Sequence, residues 1–364
     1  MSVHATVALR RDDFAETERI ILRTGDLSAG LFRYPTGVEA IRLANPRGSV
    51  VVLPFMGQMV WRAMFDGVEL AMRSHFDVPR PGVTILDTYG CLAYHAGLLR
   101  NGTPSPEDTH PLHGEMPCMP MDEAGFEVGE DENGPWLAVT GSRDYAQGFG
   151  AHYHVRPRVT LRAAATDFAM EIAVENRARA PMDLMYICHA NFGFPEGARV
   201  VQPVPFDPEH VVTRTAIPGH VAPTERYRAL VRELAADPSG AEVLDDPSRF
   251  SPEQVFYIEG LKPDADGLVR LLLQRRKGDG FTMAYDPVAL PHTIRWLMAD
   301  GDHEVAALAM PGTCEPEGYI AESRKGHVRS LAAGEQARFT TRIGYADRAA
   351  ATDLARHIAT SRGE

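Results

Sequence analysis

Side chains able to move a proton or hold a ligand collect at a few points of this sequence. The segment from Arg158 to Phe194 ends in His189-Ala190-Asn191-Phe192, which sets a titratable ring and an amide where the apolar run Leu184 to Cys188 gives out. Imidazole titrates near neutrality, so such a ring is suited to proton exchange. Arg73-Ser74-His75-Phe76-Asp77 is a dense polar cluster before the turn at Pro79 to Pro81. Arg73 and Asp77 are of the kind that holds the hydroxyls of a polar ligand. His110-Pro111-Leu112-His113-Gly114 brings another imidazole before a turn glycine, and Glu259 and Glu322 each follow a short apolar run. Polar groups at the ends of strands in a rigid sheet are where binding and catalysis tend to reside.

The elements that would carry these groups are mostly strands. Phe168 to Val174 alternates with period two, a polar turn follows from Glu175 to Asp183, and the apolar run to Cys188 completes a hairpin. Val50 to Leu53 and Gln58 to Phe65 form another pair of runs, closed by a turn at Asp66-Gly67. Ile20 to Ala44 reads as a meander. Phe126 to Arg143 contains two further runs, with Trp136 in the core, and Pro291 to Met298, with Trp296, leads through Asp300-Gly301 to a strand from Val305 to Met310. Residues 222–237 have Tyr227, Leu230, Val231 and Leu234 at helical spacing and stop at Asp237-Pro238, which suggests a helical insertion on the surface. Residues 347–360 suggest a C-terminal helix. The expectation is an all-β fold, a large antiparallel β-sandwich forming a single domain over residues 1–364.

Composition narrows the function. A formal charge of −12 argues against nucleic acid or an anionic membrane as partner. No apolar run is long enough to span a bilayer, and the N-terminus lacks a hydrophobic leader, so a cytoplasmic protein is expected. Cys91, Cys118, Cys188 and Cys314 are scattered without a C-x-x-C pair, the pattern of reduced thiols. No phosphate loop, G-x-G-x-x-G fingerprint or G-x-S-x-G elbow is present. His152 and His154 would share one face of a strand and could ligate a metal, as in cupins. The glutamate such a site requires is missing from Val155 to Thr160, and Tyr145 or Gln147 could pair with the rings instead.

Several of these segments together resemble the aldose 1-epimerase (galactose mutarotase-like) superfamily. The likeness rests on a strand ending in Glu175-Asn176, a polar turn, an apolar strand and His189-x-x-Phe192, on the unit from Gly57 to Leu70, on Leu112-His113-Gly114, and on Glu315 to Glu322 as a closing motif. It extends from about Gly57 to Gly326. The resemblance implies a mutarotase-like supersandwich, a carbohydrate ligand, no metal and no cofactor. It casts His189 as general acid, Glu322 as general base, His113 as a hydrogen-bonding partner of the sugar and Glu259 as its acidic binding residue. Arg73, Asp77 and Asn191 would orient hydroxyls, and Trp296 or Phe192 would face the sugar ring. Anomer interconversion fits those groups: one takes the proton of the anomeric hydroxyl while the other protonates the ring oxygen, and the steps then reverse.

One departure from the family pattern stands out. Mutarotases often have Gly-Arg-Tyr-Ala-Asn-Arg where this chain has Gly90-Cys91-Leu92-Ala93-Tyr94-His95. Either Arg100 or Arg73 replaces the missing cation, or the substrate lacks the hydroxyl it would hold. A non-catalytic carbohydrate-binding protein on the same scaffold, and a metal-dependent sugar isomerase using His152 and His154, are the alternatives.

Overall fold

The computed structural model describes residues 2–219 and 221–362. Among them, two antiparallel sheets of nine and fourteen strands enclose a common core drawn from both. Across the larger sheet the strands Gln254–Ile258, His292–Ala299, Glu304–Gly312, Met182–Ala190, Ala93–Leu98 and Met59–Phe65 lie in that order. Segments more than a hundred residues apart thereby become neighbours.

The Met182–Ala190 strand shows how sequence sets this arrangement. Leu184, Tyr186, Cys188 and Ala190 join the core between the sheets, whereas Met185 and Ile187 enter a separate apolar cluster on the outer face. Both faces are covered, so the strand is apolar throughout instead of alternating. His189 follows Met185 and Ile187 in the period-two alternation and points to the outer side. The other half of the hairpin, Asp167–Asn176, belongs to the nine-stranded sheet. The two halves of the sequence hairpin therefore bridge the sheets and do not pair with each other. Asn176, buried at the turn, donates its side-chain N–H to the carbonyls of Ala180 and Leu331, both 2.9 Å away.

Among the described residues, three α-helices complete the fold. Helix α1 (Glu225–Ala236) is capped by Thr224, whose side-chain oxygen accepts the N–H of Tyr227. It is more than a surface insertion, since Leu234 reaches the main core and the Tyr227 hydroxyl donates to the Glu253 carbonyl at 3.0 Å. Helix α2 (Tyr319–Lys325) contains the short apolar run that precedes Glu322. It starts after Gly318 and ends at Gly326 in a left-handed C-cap with φ of 79°. Helix α3 (Arg348–Ser361) packs Ala351 and Ile358 against Leu272 and Ala346.

Candidate functional site

His189 emerges on the outer face of the larger sheet into a cluster of rings. It stacks on Tyr94, its partner across the strand pair, with centroids 4.7 Å apart. His113 approaches edge-on at 4.9 Å, Trp296 at 5.8 Å and Tyr89 at 6.1 Å. The Tyr89 hydroxyl lies 3.3 Å from His189 Nε2. His189 is 3% exposed and His113 9%, so the rings form a closely packed and nearly buried cluster. Nδ1 of His189 and Oδ1 of Asn191 both lack a protein hydrogen-bond partner of ordinary geometry.

Burial and the adjacent His113 hold His189 well below the usual imidazole range, opposed in part by the Asn191 side chain. His189 is therefore neutral at physiological pH. Burial likewise pushes the Tyr89 and Tyr94 hydroxyls well above the ordinary phenol value, which keeps them protonated donors.

His113 is set by its backbone. It sits at φ of 59°, a left-handed conformation that costs a non-glycine residue on the order of 1–2 kcal/mol. Its N–H donates to Gly102 and its carbonyl accepts from Gly97, at 3.0 and 2.8 Å. Asn191 is fully buried, and its amide N–H donates to the Cys91 carbonyl at 3.1 Å. Cys91 thus supports Asn191 through its main chain, while its thiol is sealed in the apolar cluster. Phe192 faces the opposite side, stacked on Phe281 within the core, and is unavailable to a ligand in this cleft.

The remaining sequence-derived candidates separate from this cluster. Arg73 is exposed and paired with Glu304, and Asp77 is exposed on the following loop. Glu259 is exposed beyond its strand. The acid near the rings is Glu253, whose Oε2 accepts the Trp296 indole N–H at 2.7 Å. Glu253 immediately precedes the Gln254–Ile258 strand, and only the pairing of that strand with His292–Ala299 brings it to Trp296. Arg100 lies over the Tyr319 ring at 3.5 Å and near Asp183 at 3.7 Å. His152 and His154 are in the nine-stranded sheet, where His154 is engaged with Asp144 at 2.9 Å, so they do not form a metal pair facing this cleft.

Glu322 occupies the first turn of α2, fully buried. Its oxygens accept the Glu315 backbone N–H, Lys325 Nζ and His327 Nδ1, each at 2.8 Å. A carboxylate enclosed in this way is poorly placed to take a proton from a substrate hydroxyl. It belongs to a second polar cluster, in which His292, Glu315 and His327 offer ligand atoms within 4.8 Å of one another. His292 and Trp296 lie four residues apart on one face of one strand, so the two clusters are separated by about 13 Å.

Comparison with solved structures yields the same architecture. A candidate aldose 1-epimerase from Klebsiella pneumoniae superposes with a TM-score of 0.80 at 17% identity, over 99% of this chain and 96% of that one. A galactose mutarotase-like protein from Clostridium acetobutylicum gives 0.58 at 12% identity, over 89% and 100%. A candidate aldose 1-epimerase from Escherichia coli K12 gives 0.52 at 13%, over 82% and 96%. No curated protein matches in sequence. The fold is galactose mutarotase-like, and the match of residues 35–344 to the family described as "Domain of unknown function (DUF4432)" makes the chain a member of that family.

Proposed function

We propose that the protein is an aldose 1-epimerase-type isomerase, interconverting the anomers of a free sugar or sugar derivative, with His189 and Glu253 exchanging the protons. The observation that carries this reading is the neutral, buried His189 ring walled by Tyr94, His113, Tyr89 and Trp296, with the Glu253 carboxyl group on the Trp296 indole. Such a recess offers flat apolar faces to a sugar ring and a few polar atoms to its oxygens.

Ring opening removes the proton of the anomeric hydroxyl, breaks the bond between the anomeric carbon and the ring oxygen, and protonates that oxygen. Rotation exposes the other carbonyl face, and the same protons return in reverse order. Because His189 is neutral it accepts the anomeric proton, and the proton delivered to the ring oxygen comes from Glu253 entering as a carboxylic acid; the reversed steps return both protons. Tyr89 and Asn191 would hold His189 in orientation, and His113 would bind a hydroxyl. Glu253 replaces Glu322 as the carboxyl partner of His189 in this reading, with acid and base exchanged relative to the expectation, because Glu322 is enclosed by Glu315, Lys325 and His327.

Anomer exchange measured by NMR over a panel of free aldoses tests the proposal. Wild-type protein should accelerate exchange for at least one sugar, and His189→Gln and Glu253→Gln should each lower kcat by on the order of a hundred-fold to ten-thousand-fold. Equal rates in all three folded proteins would overturn it. The buried Cys91 in place of the family's arginine favours a sugar-binding protein without catalysis as the second reading. Saturable sugar binding without accelerated exchange would identify that case.

A further inference from the structure

We infer that His292, Glu315 and His327 form a binding site for one divalent transition-metal ion of the zinc type. Three observations carry this. The donor atoms of the three side chains lie within 4.8 Å of one another, and the two imidazole centroids are 4.1 Å apart. A tetrahedral site with bonds of about 2.1 Å spaces its donors about 3.4 Å apart, so closure requires shifts on the order of an ångström, within reach of side-chain rotation. Second, His327 Nδ1 lies 2.8 Å from a Glu322 oxygen. An N–H donated there leaves Nε2 with its lone pair available, the carboxylate–imidazole arrangement that orients metal-binding histidines. Third, all three residues are half-buried, leaving one side for a water or a ligand oxygen as fourth donor.

The local charges indicate which cation is suited. Lys325 already pairs with Glu315 Oε2 and Glu322 Oε1. An incoming ion meets that positive charge, which penalises Mg²⁺ or Ca²⁺, held by oxygen and charge alone. Zn²⁺, Co²⁺ or Ni²⁺ gain from two imidazoles, and they can use the other oxygen of Glu315 without displacing the lysine. The ion would tie together the His292–Ala299 strand, the segment that follows the Glu304–Gly312 strand and the loop after α2. The inference is independent of the isomerase proposal, because its readout is binding.

The test is titration of chelator-treated full-length protein with Zn²⁺ against a chromophoric competitor, together with Co²⁺ absorption spectroscopy. One ion per chain and the intense visible bands of tetrahedral Co²⁺ are expected. His292→Ala and His327→Ala should abolish the bands, and Glu322→Gln should weaken affinity by about 10-fold to 100-fold. Circular dichroism establishes whether each variant is folded. A His292→Gln/His327→Gln variant that is folded and binds as well as wild type would overturn the inference, as would a wild-type protein that shows no stoichiometric Zn²⁺ and no Co²⁺ bands.

Discussion

His189 is coupled to His113 across 4.9 Å, and the repulsion between two imidazoles in a nearly buried cluster is one of the two causes that keep His189 neutral. Replacing His113 by Asn removes that repulsion and keeps a residue that tolerates the left-handed backbone at φ of 59°. The midpoint of His189, followed by NMR of ring-labelled protein, should therefore move upward in His113→Asn. An unchanged or lower midpoint would show that burial alone sets its state. At this scale the sequence was readable where chemistry sits at the end of an unmistakable strand. His189, Asn191, His113 and Trp296 all reach one recess or its wall. Glu253 carried no local sign, since its role depends on a neighbouring strand delivering an indole N–H to it. Glu322 misled for a related reason. Tyr-Ile-Ala reads as a short strand, but Gly318 and Gly326, both at positive φ, bound a helix and turn the carboxylate inward.

The elements hold the recess through a few backbone contacts that can be tested singly. Gly97, at φ of 99°, donates to the His113 carbonyl and accepts the Met116 N–H. A β-carbon there would lie 1.9 Å from the Met185 carbonyl oxygen. Gly97→Ala should disturb the pairing of Ala93–Leu98 with Met182–Ala190, lowering stability by about 3 kcal/mol or more and displacing His113. Urea denaturation and anomer exchange would both register it, and a variant as stable as wild type would contradict this assignment. Helix α1 makes a milder prediction. Tyr227→Phe deletes only the hydroxyl that holds the Glu253 carbonyl, so a loss of about 1 kcal/mol is expected in the same denaturation assay. The helix itself followed from its apolar spacing and its Asp-Pro stop. That its tyrosine holds the main chain of Glu253 could not be read locally, because the contact depends on the docking of the helix against the sheet edge.

For the molecule as a whole, antiparallel alternation made the sandwich legible, while the strand order that joins residues 94, 189 and 296 was not, because pairing partners leave no local trace in sequence. The same burial that shapes the site has a consequence for stability. His95 is fully buried with Nδ1 2.9 Å from the Tyr186 hydroxyl, and burial depresses it from 6.5 to about 3. His189 is depressed in the same direction. Between the two pKa values the unfolded chain binds a proton that the folded chain refuses, so stability falls as pH drops below about 6.5 and continues to fall toward about 3. Each such histidine withdraws about 1.4 kcal/mol per pH unit once well inside that window. Acid sensitivity should thus begin above the range in which carboxylates protonate. Denaturant-derived stabilities measured from pH 8 to 4.5 should show this slope, and His95→Leu should reduce it by about 1.4 kcal/mol per unit whatever it does to stability at pH 8. If the variant and wild type lose stability in parallel, His95 is not the neutral, buried ring that its place between the sheets requires.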